Sequence, residues 1–408
     1  MKQFIRFVVV SLLSFSIMIL PHICAATESG KTIATASAKE RSAGEFRKGP
    51  YLIYRGNSTN MMVLWQLHYT QSCTFEWGED TSYSQEKAET KEYGKDHQHA
   101  YTIEGLKPGV KYFYRISAGV GKKTGSFVGA PSENAKKLKF FAYGDSRSHP
   151  QTHDAVVKSM ISTYKADPEY QTFVLSTGDL VKFGAVESEW DDQFFNRDCE
   201  NVLEMMANLP FISCAGNHEL FHRDYKDSDL DLTLFKKYFP YPFVKNTYWS
   251  FDYGPAHFVI LDQFARDYKG DKMSKGQIKW VEEDLKSSGK PWKFVILHIP
   301  GWSALTDEYH YNNKIVQKSI QPLVEKYNGT AVIGGHNHFY ARAVINGIQH
   351  ITTGGGGAEL HSPNPSVENI VKAEKAYHYC RIQIDGNSLK FEAIKPDGTV
   401  IDSFTISK

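Results

Sequence analysis

At 408 residues the chain is longer than one typical domain, and its length points to two. The formal charge is +1, and loss of Lys2 and Arg6 with a leader takes it to −1, so neither form suits a protein held to nucleic acid or a membrane surface by bulk electrostatics. Five cysteines in this length exclude a disulfide-built scaffold, and a chain this long can bury enough apolar surface to stabilise itself.

Residues 1–26 carry Lys2 and Arg6, then an uncharged apolar run over 7–20, then small residues around Cys24-Ala25-Ala26. That is the pattern of a secretory signal peptide, and the run is short for a membrane span. The sequence therefore predicts an exported protein, periplasmic or extracellular, with no membrane attachment once the leader is cleaved. Cys73, Cys199, Cys214 and Cys380 then remain, enough for two disulfides at most, with Cys214 equally suited to be a buried thiol. Residues 27–46 are small and polar and are expected to be a linker.

Over 47–133 short apolar stretches recur at 51–54, 61–66, 73–77, 100–103, 111–118 and 126–128, separated by turn residues such as Lys107-Pro108-Gly109. With Trp65 and the Tyr112/Tyr114 alternation, this predicts an all-β sandwich. A polar stretch with Pro131 marks the boundary. From 138 to 408 strand patterns alternate with amphipathic helices, expected over 154–165, 187–206, 275–288 and 315–327. A hairpin is expected over 247–262, and three closing strands over 380–385, 389–395 and 400–406.

Five apolar runs in this second part end in residues that can hold a cation. Phe141-Ala142-Tyr143 leads to Gly144-Asp145, and Val174-Leu175-Ser176 leads to Thr177-Gly178-Asp179. Phe211-Ile212-Ser213 leads to Gly216-Asn217-His218-Glu219, Val295-Ile296-Leu297 to His298, and Ala331-Val332-Ile333 to Gly334-Gly335-His336-Asn337-His338. Open α/β sheets place their ligand sites at such carboxyl ends. Two carboxylates, an amide oxygen and three imidazoles form a mixed oxygen and nitrogen set that suits borderline divalent metals.

The ordered series GD, GD, GNH, H, GHxH resembles the metallophosphoesterases, and within them the purple acid phosphatase-like branch. Leu106-Lys107-Pro108-Gly109 with Tyr112-Phe113-Tyr114-Arg115 is similar to fibronectin type III domains, and Gly49-Pro50-Tyr51-Leu52 to the N-terminal domain of purple acid phosphatases. The resemblance implies a fibronectin III-like sandwich followed by a four-layer αββα domain with two divalent or trivalent ions (Fe, Zn or Mn). It implies that Asp179 bridges them, that Asn217, His298 and His336 complete one position, and that Asp145 and His338 belong to the other. The implied reaction is hydrolysis of a phosphoester substrate, a monoester first and a diester as the alternative. A non-catalytic phosphate- or glycan-binding protein is the reading from another class. His218 is expected either to protonate the leaving oxygen or to orient the ligands.

Two positions depart from the family. Arg147 stands where many members have a ligating His, and Lys182 where purple enzymes have the Tyr that gives their colour. Arg147 has no lone pair for a metal but can clamp a phosphate through its forked donors, or form an ordinary ion pair. His149 is an alternative imidazole for the first position, although its spacing differs from that of the family's ligand. Trp302 and His310 resemble the family's loop of substrate-facing histidines, and His310 alone is carried over. The comparable glycine run, Gly354–Gly357, is expected near the site.

Overall fold

The computed structural model describes residues 46–224, 231–264, 273–305, 307 and 310–408. The expected signal peptide and nearly all of the expected linker lie outside these residues. Phe46, the last residue of that linker, already pairs with Leu67 in a sheet.

The N-terminal part is a sandwich of antiparallel sheets. One sheet orders Phe46–Ile53, Met61–Leu67 and Gln98–Ile103. The other orders Glu86–Thr90, Cys73–Gly78, Lys111–Ala118 and Gly121–Val128. Trp65 stacks on Phe75, and Phe75 on Tyr114, so the alternation seen in sequence turns its aromatic face inward.

The second part has two sheets face to face. Phe211–Ser213, Val174–Ser176 and Lys137–Tyr143 run parallel, and Tyr379–Asp385, Ser388–Ile394 and Val400–Ser407 continue that sheet antiparallel. In the other sheet Ala256–Ile260, Trp292–Ile296, Ala331–Gly334 and Ile348–Thr353 run parallel. Trp249–Tyr253 flanks them on one side, with Tyr340–Ile345 and Ile370–Glu374 on the other. Phe140, Phe173, Phe258 and Phe294 meet between the sheets with ring centroids 5.0–5.6 Å apart. Outside one sheet, Val281, Leu285 and Val324 from the helices cover Val259, Val295 and Val332. Helix Pro150–Ala166 buries Val156, Val157, Met160 and Ile161. The architecture is thus a β-rich domain followed by a layered α/β domain, as expected.

One local expectation is corrected. The helix expected over 187–206 is broken. A short turn Glu187–Glu189 and a π-turn Trp190–Phe194 precede a separate helix Glu200–Asn208, because Trp190, Phe194 and Phe195 are all drawn into the core. The helix expected over 315–327 is present and unbroken over 314–326, with π geometry at Val316–Ile320 leading into Gln321–Lys326. Cys73, Cys199, Cys214 and Cys380 are all free and buried, so none forms a disulfide.

The two parts share one apolar core. Tyr51 packs on Phe195 at 5.1 Å and on Phe239 at 6.4 Å, and Tyr114 Oη donates to the Ala207 carbonyl at 2.8 Å. Lys48, fully buried, reaches Glu187 at 2.9 Å and Asp191 at 2.6 Å. A buried ammonium is tolerated because both carboxylates and the Gln66 amide oxygen answer it.

Candidate metal centre

All five polar clusters stand at the carboxyl ends of parallel strands, three from one sheet and two from the other. The chain must turn sharply there to bring ligands back over the strand ends. Asp145, Asp179 and His336 accordingly adopt left-handed backbone, with φ of 58°, 57° and 68°. Such conformations in residues with a Cβ cluster where a site demands them. Glycine is required beside them: a Cβ on Gly216 would overlap the Asp179 carboxylate, and one on Gly335 the Asp145 carboxylate.

The six expected ligands meet in one place. Ligand atoms of Asp145, Asp179 and His298 lie within 4.8 Å of one another. His298 Nδ1 donates to the Thr177 carbonyl at 2.7 Å, which leaves its Nε2 facing Asn217 Oδ1 at 2.9 Å and Asp179 Oδ1 at 3.4 Å. His336 Nδ1 stands 3.1 Å from the same Asn217 oxygen. His298 Nε2 and these two oxygens converge so closely that a proton or a metal cation has to sit among them, and as a mixed nitrogen and oxygen set Asp179, Asn217, His298 and His336 fit a bound metal ion. His338 lies on the other side, its Nδ1 donating to the Glu359 carbonyl at 2.7 Å and its Nε2 3.6 Å from Asp145 Oδ1.

Arg147 enters this outer side. Its Nε lies 3.4 Å from Asp179 Oδ2, and a terminal nitrogen lies 3.4 Å from His338 Nε2. His149 is exposed and takes no part. Lys182 is also exposed, but its carbonyl accepts from His218 Nδ1 at 2.7 Å, which points His218 Nε2 toward Asp179 Oδ2, 3.9 Å away. His310 is paired with Asp307 and lies 5.3 Å from the His336 ring. Trp302 instead packs on His350 at 4.4 Å.

Burial opposes charge throughout the centre, and local partners decide where charge remains. Burial pushes Asp145 up to about 8. Against its own burial, Asp179 is held well below the usual carboxylate range by His298, His218 and Arg147. His298 rises to about 9 despite burial, through Asp179 and Asp145. Burial lowers His218 to about 4 and, with Arg147 and His361 nearby, holds His338 well below its ordinary value.

Two residues at the site escaped the strand-end criterion. His361 stacks on His338 with centroids 4.1 Å apart and touches His310 at 4.3 Å, yet no apolar run ends at it. Its nearness to the glycine run was the available signal. Glu219 directly follows Asn217-His218 and ends no apolar run of its own. It is buried and accepts from the backbone of Asp179, Leu180 and Gly216 at 2.8, 2.7 and 2.6 Å, so it ties two ligand loops together.

Three family models match the chain. They are "Purple acid Phosphatase, N-terminal domain" over 48–130, "Calcineurin-like phosphoesterase" over 140–340, and "Iron/zinc purple acid phosphatase-like protein C" over 347–403. Purple acid phosphatase 21 of Arabidopsis thaliana is 28% identical over 298 residues, 69% of this chain and 62% of that protein. Probable inactive purple acid phosphatase 1 of the same organism is 25% identical over 360 residues, 76% of this chain and 57% of that protein. The chain thus spans less than two thirds of the length of either relative. Purple acid phosphatase PPD1 from yellow lupin (Lupinus luteus) seeds matches in fold with a TM-score of 0.72 at 20% identity, over 88% of this chain and 74% of that one.

Proposed function

This chain belongs to the calcineurin-like phosphoesterases, with the flanking domains of purple acid phosphatases, and on that premise we propose that it is a metal-dependent hydrolase of phosphoric monoesters. The observation that carries the reading is the convergence of Asp179, Asn217, His298 and His336 at one end of two sheets. A cation bound there supplies Lewis-acid stabilisation of the charge that builds on phosphoryl oxygen. The chain's own groups do the rest. His218 keeps its Nδ1 hydrogen on the Lys182 carbonyl and presents Nε2 to the pocket; in the acid-protonated fraction, with its pKa lowered to about 4, Nε2 carries the proton that can pass to the leaving oxygen. His310 and His361 form an imidazole wall beside His336 and His338 that suits a phosphate with a small organic group. The leader-like residues 1–26 support action outside the cytoplasm. Among the described residues no helix is long and apolar enough to cross a membrane.

A second reading, a non-catalytic phosphate-binding protein, is favoured by Arg147 standing against Asp179 and His338. Metal-loaded protein offered 4-nitrophenyl phosphate and its bis(4-nitrophenyl) diester separates the two. The hydrolase reading expects turnover of the monoester above the diester, abolished by a chelator and by Asp179→Ala. Phosphate binding by a metal-loaded protein that turns over neither ester establishes the second reading.

A further inference from the structure

Asp179 divides its two oxygens between different neighbours. Oδ1 faces His298 Nε2 at 3.4 Å and accepts from the His218 backbone at 3.0 Å. Oδ2 faces Arg147 Nε at 3.4 Å. The far corner of the same guanidinium lies 3.4 Å from His338 Nε2. That nitrogen carries the lone pair, since His338 Nδ1 gives its hydrogen to the Glu359 carbonyl. The third corner donates to Ser148 Oγ at 3.2 Å, which fixes the plane of the fork. Arg147 therefore spans the Asp179 oxygen and the His338 nitrogen that an outer metal ion would need together with Asp145.

A guanidinium offers no lone pair, holds its positive charge at any accessible pH, and repels a second cation at contact distance. The inner group behaves differently, because what stands between Asp179 Oδ1, Asn217 Oδ1 and His298 Nε2 is at most an exchangeable imidazole proton, which a metal ion can displace, and not a fixed charge of the chain. We propose that Arg147 is the resident cation of the outer position, so that the centre takes a single metal ion per chain, at Asp179, Asn217, His298 and His336. Asp179 then still bridges two positive groups, but one of them is part of the chain. In its use, though not in its geometry, this rests on the hydrolase reading above. A guanidinium has five N–H donors. Those directed at Asp179, His338 and Ser148 leave two for phosphoryl oxygens, so the residue that excludes the second metal also grips the substrate.

The test is metal stoichiometry of the full chain, loaded with excess zinc or manganese, desalted, and measured by elemental mass spectrometry against protein concentration. The parent is expected to keep one ion per chain. Arg147→His, which exchanges the guanidinium for a ligating imidazole, is expected to keep two, and Arg147→Ala to gain a second, weaker one. Manganese-loaded parent should give the six-line electron paramagnetic resonance spectrum of an isolated ion. Two ions in the parent, or the spectrum of a coupled pair, overturn the proposal and leave the hydrolase reading standing. A single ion in the parent and in both folded variants overturns it as well, because Arg147 is then not what excludes the second. A parent that binds no ion defeats this proposal and the hydrolase reading together. Where one variant fails to fold, the other supplies the comparison, and two ions or a coupled pair in the parent overturn the proposal without either.

Discussion

Glu219 offers the sharpest test of how the ligand loops are held. Its Oε2 accepts from the backbone of Asp179 and Gly216, and its Oε1 from that of Leu180. Glu219→Gln keeps the shape and removes one acceptor. If the amide oxygen stays on Asp179 and Gly216, the new NH2 group meets the Leu180 N–H, and a buried donor is orphaned. Such a loss costs about 1–3 kcal/mol. The surviving bonds also weaken, since a charged acceptor holds a donor roughly twice as strongly as a neutral one. Against this, burial, helped by the Asp179 charge, pushes the Glu219 carboxyl up to about 7, and the amide relieves that buried charge. A net loss of about 1–3 kcal/mol is expected, or roughly 0.3–1 M in urea midpoint for a slope of about 3 kcal/mol per molar. Glu219→Ala orphans all three donors and should remove about 3–9 kcal/mol, comparable with the whole stability of a typical domain. Urea unfolding followed by tryptophan fluorescence, with metal content measured alongside, is the assay. An unchanged midpoint and unchanged metal content in Glu219→Gln would refute the claim that this carboxylate organises the centre.

Gly335→Ala places a methyl group against the Asp145 carboxylate and the Thr177 hydroxyl, so thermal stability should fall by the equivalent of about 1–3 kcal/mol and retained metal should drop; an alanine protein with both intact contradicts the packing. His218→Asn should slow esters with poor leaving groups by about a hundredfold or more while sparing activated aryl phosphates, and equal losses on both would assign His218 to orientation alone. His257 is buried, which works to lower its pKa, yet hydrogen bonds to Asp252 at 2.7 Å and Asp284 at 2.9 Å leave it raised. A raised folded-state pKa contributes stability that is full below the unfolded value of about 6.5 and is lost as pH rises through the folded value. The stability gap between parent and His257→Asn should therefore be full below about pH 6.5 and shrink as pH rises above it, and a constant gap in urea titrations counts against it.

The strand ends were legible because their signal is local: an apolar run followed at once by Asp, Asn or His. That rule pointed to Asp145, Asp179, Asn217, His298, His336 and His338, which the fold brings together across two sheets. What it missed lacked that local form. Glu86–Thr90 is an edge strand with mostly exposed charged residues, so no alternation announced it. His361 comes to the centre only through the path of the loop after Ile348–Thr353. The break between Glu187 and Asn208 was invisible because Trp190, Phe194 and Val202 sustain an apolar pattern across it, while their packing against Tyr238 and Phe211 bends the backbone. Arg147 was visible as a departure from the family. Its simultaneous contact with Asp179 and His338 is a tertiary fact that spacing cannot supply.

Tyr51 wedged between Phe195 and Phe239 has a meaning for the history of such a chain. A module joined by a flexible tether can be lost or exchanged by recombination without harm to its neighbour. Here a break at any point between Phe46–Ile53 and Lys137–Tyr143 would lay bare an aromatic wall that belongs equally to both halves. A change that loosens the sandwich therefore also loosens the wall of the domain that carries the ligands, and neither half can be exchanged alone without a new partner for those rings.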